Sequence, residues 1–295
     1  MKKILALMLG LFMMTGCHGN TNQEHDKLQV YTSFYPMQSL AEEIGKDYVD
    51  VVNMTPEGEE AHDFEPSVQD IAGLEKADVF IYNGAGMEHW VEDISDAIES
   101  KVLMIVNASE KVDTIQLEGK DVADPHTWLS LRNVVIQAEA VADAFSKADP
   151  KHKEEYRKNA DAFIQSMKAL DEKYTKLLEP YKGKTIAVAH ASFGYLCRDY
   201  GLSQLAVDGL SSESEPSPAK MKEMIETIKN ENISVIFYEG VSNPKVAQTI
   251  AEETNINTGT LSTLESLSTE EKEKGATYQS IMEQNLEALY DAFRQ

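Results

Sequence analysis

Cysteine is nearly absent from this 295-residue chain. The two present, Cys17 and Cys197, exclude a disulfide scaffold and any zinc site of the Cys-x-x-Cys kind. Arginine is equally scarce, with only Arg132, Arg157, Arg198 and Arg294, and no stretch gathers lysines into a patch. Nucleic acid and phosphorylated ligands are held mainly by clustered positive charge, so neither is an expected partner. No apolar run approaches the roughly 20 residues that a bilayer-spanning helix needs. What the chain does have is acid: 50 aspartates and glutamates against 27 lysines and arginines, for a net charge of -23. A hydrophobic content of 42% places that charge on a folded surface rather than on a disordered acidic polymer, and the length suits two ordinary domains. Surplus acid alone is a weak pointer to a cation, because it also keeps proteins soluble.

Lys2 and Lys3 precede an apolar run, Ile4 to Met14, of signal-peptide length. Thr15-Gly16-Cys17 follows. Small residues leading into a cysteine resemble the lipobox of bacterial lipoproteins, although Met14 stands where that pattern usually has Leu. The resemblance implies cleavage after Gly16 and acylation of Cys17 with palmitate-type chains. Residues 1–16 hold two lysines and no acids, so their removal takes the net charge from -23 to -25. The polar stretch His18 to Lys27 has no apolar periodicity and suits a flexible tether. The expected organisation is a signal peptide over 1–16, a lipidated cysteine and tether over 17–27, and folded chain from Leu28 outside the cytoplasmic membrane. The tethered design suits a Gram-positive surface.

From Leu28 short β-branched runs alternate with amphipathic stretches, the pattern of parallel α/β architecture. Strands are predicted at Leu28 to Thr32, Val49 to Asn53, Asp78 to Tyr82 and Val102 to Val106, with a helix over Met37 to Ile44. A second set is predicted at Thr185 to Ala189, Gln204 to Val207, Ser234 to Tyr238 and Asn257 to Leu261. Two groups of four strands argue for two α/β lobes, 28–150 and 181–295, each with a mainly parallel sheet flanked by helices. Between them Tyr156, Ala160, Phe163, Met167, Leu170, Tyr174 and Leu177 recur in alternating steps of four and three. This single apolar stripe predicts a rigid linking helix over 151–180, bounded by Pro150 and Pro180 and roughly 40 Å long. With no second heptad run to pair with, it packs on its own protein, and a monomer is expected. Gly183-Lys184-Thr185 looks like the tail of a P-loop. Leu178 stands where the first glycine belongs, however, and the triplet enters a strand, so an ATPase reading fails.

Ligands of doubly wound sheets collect beyond the carboxyl ends of strands, and three of the seven histidines fall in such places. His62 lies beyond the second predicted strand, His126 in Asp124-Pro125-His126-Thr127-Trp128 after the fourth, and His190 directly after the fifth. A carboxylate is the natural fourth member. Glu265 lies beyond the last strand, and Glu239, immediately after Val235-Ile236-Phe237-Tyr238, competes for the role. Neutral imidazoles and a carboxylate suit zinc, and four protein ligands close a tetrahedral site, leaving no position for a catalytic water. Glu57, Glu59 and Glu60 crowd His62 as a solvated loop, with Glu60 a candidate outer acceptor or alternative ligand. His18 and His25 fall in the tether, His89 adjoins Trp90, and His152 is placed on the polar side of the long helix. Cys197 reads as a buried, inert thiol.

Taken in order, these segments carry a family resemblance. Gly58-x-x-x-His62-Asp63-Phe64-Glu65-Pro66-Ser67, Asp124-Pro125-His126-x-Trp128-Leu129-Ser130, His190-x-x-Phe193-x-Tyr195, Glu215-Pro216-Ser217 and Leu264-Glu265-Ser266-Leu267 resemble the cluster A-I, zinc/manganese-type substrate-binding lipoproteins of metal ABC importers. The resemblance runs from Cys17 to near the C-terminus. It implies two α/β lobes joined by a long helix, with one metal ion held by His62, His126, His190 and Glu265, and an ABC permease with its ATPase subunit as partners. A histidine at the third position resembles the zinc members, where manganese members typically have a carboxylate; a manganese receptor is the alternative. Two departures stand out. Ala61 replaces the proline usual before the first histidine, and no histidine occurs between Asn107 and Ala123, where zinc members commonly carry a His-rich loop.

An enzyme is not expected. A secreted zinc hydrolase would need an open coordination position and a base, for which Glu239 is the one nominee, and His-Glu-x-x-His is absent. A surface adhesin is a remote alternative that the resemblance allows; such a role would be additional, and the sequence offers no repeats or exposed aromatic patch to support it. Because metal binding needs deprotonated histidines, affinity is expected to fall as the pH drops through the region near 6.

Overall fold

Each short apolar run becomes a strand that can join a parallel neighbour only through a crossover, and the intervening amphipathic stretches supply the crossover helices. The computed structural model describes residues 27–98, 102–117, 122–207, 209, 217–239 and 244–295. The expected signal peptide, Cys17 and nearly all of the tether lie outside these residues, as do Glu215 and Pro216. The first lobe runs β1 (Leu28–Thr32), α1 (Tyr35–Gly45), β2 (Val49–Asn53), α2 (Val68–Leu74), β3 (Val79–Tyr82), α3 (Val91–Ala97), β4 (Met104–Asn107) and α4 (Leu131–Ala148). Helix α5 (Lys153–Leu178) leads to the second lobe. That lobe comprises β5 (Thr185–Val188), α6 (Gly194–Tyr200), β6 (Ser203–Ala206), α7 (Pro218–Glu231), β7 (Val235–Tyr238), α8 (Lys245–Thr254), β8 (Asn257–Thr260), α9 (Thr269–Glu273) and α10 (Tyr278–Phe293).

Both sheets are wholly parallel and have the same order, β2-β1-β3-β4 and β6-β5-β7-β8. The chain first steps to one side of β1 and then to the other, which places a topological switch point between β1 and β3. The second sheet repeats this between β5 and β7. Crevices beyond the strand ends at such points are where ligands bind. Central β3 has Val79, Phe80 and Ile81 fully buried, as a strand covered on both faces requires. Predicted and observed strands agree to within a residue or two. The fourth starts at Met104 instead of Val102, because pairing with β3 begins at Val79 opposite Met104 and Val102 is exposed.

The stripe on α5 is buried as expected at Tyr156, Ala160, Phe163, Met167, Leu170 and Tyr174. It ends on Leu178, a step of four, leaving the expected Leu177 half-buried. The helix is shorter than its predicted span, because 3₁₀ turns at Pro150–His152 and Glu179–Tyr181 take up the proline-bearing ends. His152 accordingly leaves the polar face proposed for it. It stacks on Tyr48 at 4.3 Å and bonds Asp149 through Nδ1 at 2.6 Å. Near its start α5 binds the first lobe, with Asn159 Nδ2 donating to Ile44 O at 3.0 Å. Near its end it binds the second: Tyr174 stacks on Tyr200 and donates to Met282 O at 2.5 Å. One continuous apolar core therefore runs from Leu28 through α5 to Ala292. Met167 sits in the middle of that stripe with no exposed surface. Met167→Ala should lower the unfolding free energy of the metal-free protein by about 2–5 kcal/mol, measured by urea denaturation.

Candidate metal centre

All four residues proposed from the sequence as ligands are brought to one point. His62 comes from the loop after β2, His126 from the approach to a 3₁₀ turn (Thr127–Leu129), His190 from the end of β5 and Glu265 from the segment after β8. One nitrogen or oxygen from each lies within 4.8 Å of all the others, a grouping able to hold a metal ion. His126 Nε2 is 3.2 Å from His62 Nε2 and 3.3 Å from His190 Nε2. Glu265 Oε1 stands 3.7, 3.6 and 3.8 Å from the Nε2 atoms of His62, His126 and His190. Ligands about 2.0–2.2 Å from a tetrahedral zinc ion are roughly 3.3–3.6 Å apart, so these spacings fit.

The outer contacts settle which nitrogen faces inward. Asp124 Oδ1 accepts from His126 Nδ1 at 2.8 Å and from the His126 backbone N–H at 2.9 Å. Glu239 Oε1 lies against His190 Nδ1. With its Nδ1–H engaged, the neutral His126 ring turns the lone pair of Nε2 to the centre. Glu239, the competing ligand in the sequence reading, thus holds the back of His190 while Glu265 joins the cluster. Glu265 Oε1 is buried and accepts no hydrogen bond. Buried donor atoms gathered this closely suit a cation.

Of the crowded glutamates, Glu59 is exposed and Glu57 pairs with Lys272. Glu60 departs from the solvated loop expected of it, because its side chain is half-buried and hydrogen-bonds Glu265. His89 is exposed and pairs with Glu65, and Cys197 is buried, its thiol pushed far up by burial. His18 and His25 lie outside the described residues. The sequence motif alone assigns Asp124 no role. An Asx residue two positions before the ligand, able to accept from the backbone N–H of that ligand, was the available signal.

Two tyrosines and a tryptophan lock the loop of His126 between the lobes. Tyr195 on α6 donates to Asp124 O at 2.6 Å, and Gly194 beside it leaves room for Asp124, whose Oδ2 would lie 2.5 Å from an added Cβ. Trp128 Nε1 donates to Thr263 O at 2.6 Å, two residues before Glu265. Tyr278 donates to Trp128 O at 2.5 Å.

The site is dry. His126 is fully buried and His190 and Glu265 are 2% and 5% exposed, so only the half-buried His62 faces outward. Burial, then the adjacent His126 ring, pushes His62 down to about 3, and burial also lowers His126. Burial first, then the hydrogen bond and charge of Glu60, raises the Glu265 carboxyl well above the usual carboxylate range. The expected fall in affinity near pH 6 therefore does not come from His62, which is already deprotonated there. For His62 the unfolded chain takes up a proton near pH 6.5 that the folded chain refuses. Its contribution to stability is present above 6.5 and is lost as the pH falls toward about 3. In proton NMR of the metal-free protein, the His62 ring signals should stay flat from pH 8 to pH 5; a transition near 6.5 would show the ring is not desolvated.

Residues 30–292 match the family described as "Zinc-uptake complex component A periplasmic". The chain is 35% identical over 308 residues to the high-affinity zinc uptake system protein ZnuA of Bacillus subtilis, covering 96% of this chain and 97% of that one. It is 34% identical over 306 residues to the zinc-binding lipoprotein AdcA of Streptococcus pneumoniae, covering 98% of this chain but 60% of that longer protein. The zinc-bound ZnuA-like domain of Streptococcus pneumoniae AdcA shares the fold with a TM-score of 0.81 and 36% identity, over 91% of this chain and all of that domain. With one profile spanning most of its length and relatives this similar, the chain belongs to the zinc-uptake complex component A family.

Proposed function

We propose that this protein is an extracytoplasmic zinc receptor, in which His62, His126, His190 and Glu265 hold the ion and the two lobes present it to an ABC permease driven by a cytoplasmic ATPase. The observation that carries the reading is the convergence, within 4.8 Å of one another, of three imidazole nitrogens and one carboxylate oxygen that accepts no hydrogen bond. Three imidazoles and one carboxylate favour zinc over manganese, which prefers oxygen donors and higher coordination. The protein is a carrier and not an enzyme. Filling all four positions with side chains leaves none for an activated water, and zinc is the cargo. Cys17 is proposed as the lipid anchor that keeps the receptor at the outer face of the membrane, with 18–27 as tether. The relative named a zinc-binding lipoprotein supports that reading.

Zinc titration by competition with a chelating dye tests the site. His190→Ala should weaken zinc binding by more than the roughly 10–100-fold typical of losing an outer partner, and manganese should compete poorly at the native site. Native affinity in the variant would overturn the ligand assignment. For the anchor, labelled palmitate should be incorporated into the protein expressed in a Gram-positive host and should disappear in Cys17→Ser.

A further inference from the structure

The loop after β3 holds three successive residues at positive φ: Gly84 at 79°, Ala85 at 54° and Gly86 at 87°. A Cβ on Gly84 would fall 2.1 Å from Asn107 Oδ1, so only glycine fits there. Ala85 adopts a conformation that L-residues keep only where the surroundings over-determine it, and such outliers cluster at functional sites. None of these residues is a ligand. What the loop fixes is Glu88, 8% exposed, and the fully buried Asn83. The Glu88 carboxylate accepts from Ser33 Oγ at 2.6 Å, from Asn83 N at 2.7 Å and from Gly84 N at 2.9 Å. Pinned through its own backbone, Asn83 then reaches across to the segment that carries His126.

Asn83 Nδ2 donates to Pro125 O at 2.9 Å, and Asn83 Oδ1 accepts from Thr127 Oγ1 at 2.7 Å. Gln137 Nε2 on α4 closes the network, 3.1 Å from Asn83 Oδ1 and 3.0 Å from Thr127 Oγ1. Pro125 and Thr127 are the two chain neighbours of His126. A single amide therefore holds the chain on both sides of that residue, while Asp124 fixes the rotation of its ring. We propose that Asn83, anchored by Glu88, is a positioning residue for metal capture, setting where His126 Nε2 stands relative to the other three donors. The proposal rests on the zinc-site reading above. Ligand distances must hold to within about 0.2 Å, so an unbracketed peptide lets Nε2 drift out of range even with Asp124 in place.

A network that served the fold alone would move stability and leave the metal geometry untouched. Full-length Asn83→Ala is compared with Val141→Ala, a buried deletion on α4 outside the Asn83 network that destabilises the same lobe. Zinc affinity is read by dye competition, metal-free stability by urea denaturation, and coordination by the visible absorption of bound Co2+. Asn83→Ala should weaken zinc binding about 10–100-fold and change the tetrahedral cobalt spectrum, while Val141→Ala loses stability and keeps both. Asn83→Ser, whose hydroxyl is too short to reach Pro125, carries the same expectation if the alanine variant does not fold. Native affinity and an unchanged cobalt spectrum in the Asn83 variants would overturn the proposal. His126→Ala separates the two levels: if it also binds zinc normally, the site reading itself fails, and if it alone loses binding, only the role of Asn83 falls.

Discussion

The mutual exposure of four electron-pair donors is the constraint to which the rest of the structure answers. Two Nε2 to Nε2 distances of 3.2 and 3.3 Å, with Nδ1 of His126 bonded to Asp124 and Glu239 lying against Nδ1 of His190, turn these rings toward the centre by Nε2. Such a cluster is unfavourable until a cation enters, and its groups report this. His62 and His126 are held down and Glu265 is held up, each first by burial. Folding free energy is thus spent in advance on an arrangement that a dication relieves, which is the thermodynamic form of a binding site.

Holding such a cluster together requires rigidity from both sides, and the topology supplies it. Both sheets place their switch points at the site. The ends of β5 and β7 carry His190 and its partner Glu239, while the ends of β1 and β3 carry Ser33 and Asn83. The first switch point thus supports a ligand indirectly and the second supplies one. Trp128, Tyr195 and Tyr278 then cross from one lobe to the other within a few residues of His126, beside an apolar core that α5 makes continuous. A helix buried along both lobes resists large hinge bending.

Much of this was legible in the sequence. Strand positions could be read because β-branched runs such as Val79 to Ile81 are buried on both faces. The α5 stripe could be read because its period is that of a helix. The ligands could be found because histidines beyond strand ends have few structural duties there. What escaped was relational. Asn83 and Glu88 lie in an unremarkable stretch, Asn83-Gly84-Ala85-Gly86-Met87-Glu88, and their importance comes from partners 42 and 55 positions away. Glu60 could be named as an outer acceptor from its place beside His62, but its actual partner, Glu265, is set by the packing of the loop after β8. His152 was misplaced because Pro150 winds the start of the long helix into a 3₁₀ turn.

Two buried carboxylates show why charge count is a poor guide and satisfaction a good one. Glu88 and Glu265 are comparably buried, and burial raises both. Glu88 is met by two backbone N–H groups and a hydroxyl, which pull against the shift and complete its coordination from within the protein. Glu265 has Thr263 acting in the same direction, but the carboxylates of Glu60 and Glu239 act against it, and its inward oxygen accepts nothing. A buried anion supplied with donors is a structural element; one surrounded by further anions and facing imidazole lone pairs is half of an ion-binding site. The net charge of -23 is spread over a surface where water and salt screen it within about 8 Å. The few carboxylates that water cannot reach, and that the protein declines to satisfy, are the ones that define the cation.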